Sequence, residues 1–278
     1  ANTHVYPGDS GLFGPESVSW RVMGDVSSFV GGVRALLLQA LHPEVAAGVA
    51  DHSQYESDPL GRLNRTSLFV TTTNYGSMPE VEAAVQIVRQ AHKPVSGTSE
   101  RGIRYSANQP QLGAWVHNTL TDSFLEAYQT FCGGLTAEEA DQFVREQSKI
   151  GALLGVQELP LTANELRKWV TEHPSLGDSE ALRAAWDFLR KPPLQAGQLL
   201  GYRVVRAAAV ATLPSELADL AGTSSRKGAL FGGQCIVSSL RWAMKHSPAW
   251  KAALDRCGAS YDTTKFRSFE DSPPTKNQ

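Results

Sequence analysis

Between residues 15 and 256 apolar side chains recur at three- and four-residue steps, and no two alternating segments are joined by hairpin turn chemistry. A chain patterned this way buries its apolar stripes by packing helix on helix, so the expected class is all-α. The spacing predicts helices over 15–29, 32–41, 43–51, 59–75, 78–92, 109–131, 136–154, 162–171, 179–190, 194–212, 215–221 and 228–256. Thr136 with Glu139 and Thr162 with Glu165 read as capping boxes, and Pro79 and Pro110 sit where first helical turns belong. The segment 93–108 reads as the longest irregular connection and 258–278 as an irregular tail. With no repeat, linker or low-complexity block, the 278 residues read as one helical domain.

The stretch "LQAGQLLGYRVVRAAAVATLP" looks most like a membrane span, but Arg203 and Arg206 stand in its middle. Each would cost about 2.5 kcal/mol or more at the centre of a bilayer, so the stretch reads as a central core helix and no transmembrane segment is expected. Its Gly197 and Gly201, four apart, would let a neighbouring helix approach closely. A net charge of −2 supplies no basic field for nucleic acid. Cys132, Cys235 and Cys257 form neither a disulfide framework nor a metal knuckle and read as reduced thiols, which points to the cytoplasm. The first residues carry no secretory pattern.

The common catalytic signatures are missing: no HExxH, no GxSxG, no GxxxxGK[ST], no GxGxxG after a strand, and no glutamate three residues before a histidine as a di-iron bundle would need. Polar residues on apolar helix faces remain. Over 78–92, Val81, Ala84, Val85, Val88 and His92 share one stripe, which predicts that His92 points into the core. It is then a core histidine bonded to a backbone carbonyl, a cation opposing the helix dipole at its C-terminal end, or a residue that holds something in place. Over 59–75, Arg62, Arg65, Thr66 and Phe69 share a face. The two arginines either pair with Asp51, Glu56 or Asp58, or act as donors toward an anion or a developing charge. Over 109–131, His117, Leu120, Thr121, Phe124 and Tyr128 form a stripe and Trp115 adds to a surface wide enough to be buried nearly all round, making His117 a second interior histidine. His42 and His52, at the two ends of the 43–51 helix, read as caps. Two interior histidines and an arginine pair, without a carboxylate-rich set, suit a haem pocket better than a zinc or di-iron site.

The runs "GGVRALLLQALHPEVAAGVADHS", "RLNRTSLF", "AHKPVSG", "YSANQPQLGAWVH" and "GALLG", in this order across residues 15–160, resemble the DUF2236 family, the mpaB/rubber oxygenase catalytic domain that includes latex clearing proteins. A weaker helical match extends to about residue 257. The resemblance implies an all-α fold whose helices enclose a haem b pocket, an activity using O₂ on a hydrophobic organic substrate, and an iron-ligating histidine. That ligand corresponds best to His92, with His117 as the fallback. The family's distal Arg-x-x-Lys-Thr falls on Arg62, Arg65 and Thr66. Arg65 departs from that pattern: an arginine stays protonated and is a very poor iron ligand, which puts polymer cleavage in doubt. Glu44 corresponds loosely to the family's distal glutamate. The expected protein is a cytoplasmic haem oxygenase for a small or medium hydrophobic molecule. The rival readings are a haem carrier or gas sensor without chemistry, and a cofactor-less helical binding protein.

Overall fold

The computed structural model describes residues 6–52, 59–225, 227–244 and 247–259; the side chains of Pro59, Leu60, Arg62 and Leu63 also lie outside the description. Within these residues the chain is helical throughout, apart from one two-stranded ribbon: α1 Val18–Gly24, α2 Ser28–Gln39, α3 Pro43–His52, α4 Pro59–Tyr75, α5 Met78–His92, β1 Ser96–Thr98, β2 Arg104–Ser106, α6 Pro110–Phe131, α7 Ala137–Leu153, α8 Ala163–Thr171, α9 Glu180–Arg190, α10 Ala196–Ala211, α11 Ser215–Leu220, α12 Ala229–Met244 and α13 Pro248–Cys257. The two capping boxes form as expected: Thr136 accepts from the Glu139 amide, and the Glu139 carboxylate accepts from the Thr136 amide. Thr162 and Glu165 do the same at α8.

The centre of the fold is α6 packed along α2. Trp115, Ala127 and Phe131 of α6 and Leu37 and Leu38 of α2 are fully buried, so α6 is covered nearly all round as its wide apolar face requires. Gly31 makes the approach possible. A Cβ there would lie 2.8 Å from Phe124 Cδ1 and 3.0 Å from the Ser123 carbonyl oxygen, and only a residue without one lets the two backbones come so near. Beside this contact Arg34, wholly buried, donates to Asp122 Oδ2 at 2.7 Å, Ser123 Oγ at 2.9 Å and the Thr212 carbonyl at 3.2 Å. A buried charge is tolerated only when paired and hydrogen-bonded in this way.

Three expectations need correction. The 228–256 helix is two helices, because Pro248 cannot donate to a continuing ladder and opens α13 instead. The 15–29 helix divides at Asp25, whose carboxylate accepts from the Ser27 amide at 2.7 Å and turns the chain before α2. The 93–108 connection is not wholly irregular: β1 and β2 pair antiparallel with Gly97 opposite Tyr105. A Cβ at Gly97 would fall 2.5 Å from Tyr105 Oη, so the ribbon depends on a side-chain-free position that alternation of apolar residues does not signal.

The close approach expected at Gly197 and Gly201 occurs elsewhere. Among the described residues a Cβ on Gly197 would meet nothing outside its own helix within 4 Å and one on Gly201 would meet only Ile236 at 3.9 Å, whereas a Cβ on Gly233 of α12 would meet the Ala208 Cβ of α10 at 2.6 Å. Among the described residues no helix is long and apolar enough to cross a membrane.

Candidate functional site

The sequence motifs first lead to the α4–α5 pair, which pack on each other across the corner at Gly76 and Ser77. Ser77 and Glu80 cap α5 reciprocally, with Pro79 in its first turn. Burial along the α5 stripe fades: Val81 and Val85 are buried, Ala84 and Val88 are half-buried, and His92 is exposed. The expectation that His92 points into the core is therefore not met. Periodicity fixes the direction of a stripe but not how far neighbouring elements cover it, and here the last turn runs beyond that cover before Lys93 and Pro94 end the helix. The imidazole has no hydrogen bond to any described residue, and the protein around it lowers its pKa by desolvation. At neutral pH it is uncharged, with a lone pair available.

On α4 the residues from Asn64 to Leu68 are exposed, Arg65 and Thr66 among them, and Phe69 is half-buried. Arg62 lies on the same helix; its side chain is outside the described residues. Of the carboxylates weighed as partners, Asp51 accepts from Tyr105 Oη at 2.5 Å, while Glu56 and Asp58 lie outside the described residues. Leu68 on α4 and Ile87 on α5 are large apolar side chains left uncovered, at 65% and 69% exposure.

His117 is interior, as its stripe predicts. It stands against the end of α7: a Cβ on Gly151 would lie 2.9 Å from its Cδ2 and 3.0 Å from its Nε2. Burial drives its pKa down to about 4, so the ring is neutral. Four residues on, Gly155 closes α7 at φ +84°, and a Cβ there would lie 3.4 Å from a guanidinium nitrogen of Arg89 on α5. The "GALLG" segment thus lies between the His117 ring and the last turns of α5.

A second polar constellation was not singled out from the sequence. His42, before α3, and His173, after α8, lie 5.4 Å apart between ring centres with their planes tilted by 55°, each beside Trp115, with Trp169 4.7 Å from His173. The available signal was a pair of His-Pro dipeptides, His42–Pro43 and His173–Pro174, each at a helix boundary. Burial, then the neighbouring His173, depress the His42 pKa to about 4. Its Nδ1 lies 3.3 Å from Glu44 Oε2 without hydrogen-bond geometry. Glu44 itself is buried and engaged by Ser99 Oγ at 2.8 Å and by Arg101 at 2.5 Å. Burial alone would raise its pKa, but these donors hold it below the ordinary carboxylate range. A carboxylate so fully paired anchors the 99–101 loop to α3. His52 acts alike, with Nε2 3.0 Å from the Ser96 carbonyl. Among the described residues no group of three or more His, Cys, Asp or Glu could hold a metal ion.

Neither a curated protein nor a solved structure matches the chain. A family model does match, over residues 20–244, from α1 to the end of α12. The ordered motifs and the all-helical architecture that carries them therefore identify a catalytic domain: the chain belongs to the ER-bound oxygenase mpaB/B′ and rubber oxygenase family.

Proposed function

We propose that this oxygenase domain works with haem b, bound through His92, on a small or medium hydrophobic substrate. The observation that carries this is the state of His92: an exposed, uncharged imidazole without a hydrogen-bond partner among the described residues, at the end of a helix pair bearing uncovered apolar side chains. The donor chemistry fits the group. Haem asks of its protein one neutral imidazole, apolar contact for the ring and cations for its carboxylates. His117 suits the role less well, because even a Cβ on Gly151 would lie 3.0 Å from its Nε2, so a metal on that side would crowd the end of α7.

When bound, haem supplies the one-electron and O₂ chemistry that amino-acid side chains lack. The chain supplies the rest. His92 holds the group through one ring nitrogen and needs no proton loss to do so, because the ring is already neutral. Arg65 cannot give up its proton, so it serves as a permanent donor toward negative charge developing on oxygen, and Arg62, one turn away, has the same chemistry. Thr66 adds a hydroxyl that can both donate and accept and so orient a water or the substrate. Leu68 and Ile87 offer apolar surface that excludes water once covered. The free thiols Cys132, Cys235 and Cys257 suit a reducing compartment such as the cytoplasm.

The test is the absorption spectrum of the purified protein before and after hemin and dithionite. A Soret band is expected, lost or strongly shifted in His92→Ala and retained in His117→Ala; Arg62→Ala and Arg65→Ala keep the band but lose substrate-dependent oxygen uptake. A protein that stays colourless with added hemin refutes the haem reading and favours a cofactor-less binding protein. A band without oxygen uptake on any hydrophobic substrate marks a carrier or sensor.

A further inference from the structure

Away from α4 and α5, the end of α9, one face of α10 and the turn after α11 line a half-open cavity of about 680 Å³. Four cations line it: Arg190 and Lys191 where α9 ends, and Arg203 and Arg206, one turn apart on α10. Thr223 and Ser224 add hydroxyls, and Gly222, at φ +62°, turns the chain so that both follow it into the lining. Ala207 and Val210 give a small apolar wall.

This concentration of charge is not a property of the whole chain, whose net charge is −2. Part of it has a local cause, since cations at the end of α9 oppose that helix's dipole, and Arg190 also pairs with Asp187 at 3.3 Å. Neither cause reaches Arg203, which stands in the middle of α10. Two guanidinium groups on adjacent turns, lining the same cavity as two further cations and two hydroxyl donors, match an anion with several charged oxygens better than a single carboxylate.

We propose that this cavity binds a ligand bearing two or more adjacent phosphate groups, with its organic part against Ala207 and Val210. The site is separate from the haem reading and does not depend on it.

Isothermal titration of the full chain with sodium pyrophosphate and with ATP, at low and at high salt, is the test. Saturable one-to-one binding that weakens with salt is expected. The double variant Lys191→Gln/Arg203→Gln removes two charge-assisted contacts and should weaken it about a hundredfold, roughly tenfold per cation. Arg183→Gln, an exposed α9 cation outside the cavity lining, should leave it unchanged. A parallel arm uses phosphatidylcholine vesicles with and without phosphatidylinositol 4,5-bisphosphate. Binding to those vesicles but not to the free phosphates, lost in the double variant, assigns the phosphates to a lipid headgroup; binding of the free compounds assigns a soluble ligand. Absence of binding in both arms, or binding that ignores the double variant in a protein with an unchanged melting curve, overturns the proposal.

Discussion

Acidification should unfold this protein through its interior histidines before its carboxylates titrate. His117 and His42 both have folded-state pKa values near 4, against about 6.5 in an unfolded chain. Above pH 6.5 both states are neutral and the rings cost nothing. Between pH 6.5 and 4 the unfolded chain takes up protons that the folded one refuses, so stability falls as pH falls, at up to about 1.4 kcal/mol per pH unit for each ring. Integrated from pH 7.5 to 5, the loss is about 2 kcal/mol per histidine and about 4 kcal/mol for the pair. His92 and His173, also lowered, act in the same direction. The assay is urea unfolding at half-unit pH steps, with His117→Gln as comparison: its extrapolated stability should lose about 2 kcal/mol less over this range than the parent's. A stability that stays flat from pH 7.5 to 5, or a variant with the parent's slope, refutes the claim that these rings are held neutral by burial.

Gly31→Ala should cost about 2 to 3 kcal/mol, read as a lower denaturation midpoint, because its new methyl meets the Ser123 carbonyl and Phe124 Cα, neither of which can move without shifting α6. Asp122→Asn leaves Arg34 buried without its counter-charge and should cost about 3 to 5 kcal/mol; the double variant with Arg34→Met should recover most of that loss in the same unfolding assay. Tyr105→Phe removes the hydroxyl that Asp51 accepts from and should cost about 1 kcal/mol, with faster amide exchange confined to the β1–β2 ribbon and α3.

Elements with strong local grammar were legible in the chain. The bounds of α4 and α5 follow from their apolar period and from the corner between them, and α7 and α8 from their capping boxes. The burial of α6 followed from the width of its apolar face. What the sequence could not disclose was set by non-local contacts. Arg34, in the run "GGVRALLLQ", is interior because Asp122, 88 positions away, meets it. His92 reads as interior because its stripe is apolar, yet among the described residues it is left exposed at the end of α5. The His42–His173 pair was invisible for the same reason, since the two rings come from distant segments, before α3 and after α8, and meet only beside Trp115 of α6. At the candidate site the residue types and their helical faces were readable, while coverage by other elements was not.

The buried guanidinium groups have a consequence for how the molecule comes apart. Arg256 of α13 donates to the carbonyls of Asp9 and Tyr75, both at 2.7 Å, and Arg241 of α12 grips the Asp25 carboxylate. The last two helices are thus riveted to the segments before α2 and to the end of α4 by charges that leave their partners only at the cost of stranding them. A single proteolytic nick between α11 and α12 should give two fragments that co-elute in native buffer and separate only in denaturant. The segment through α1 and the helices α12 and α13 are then lost in the same cooperative event, rather than one fraying before the other.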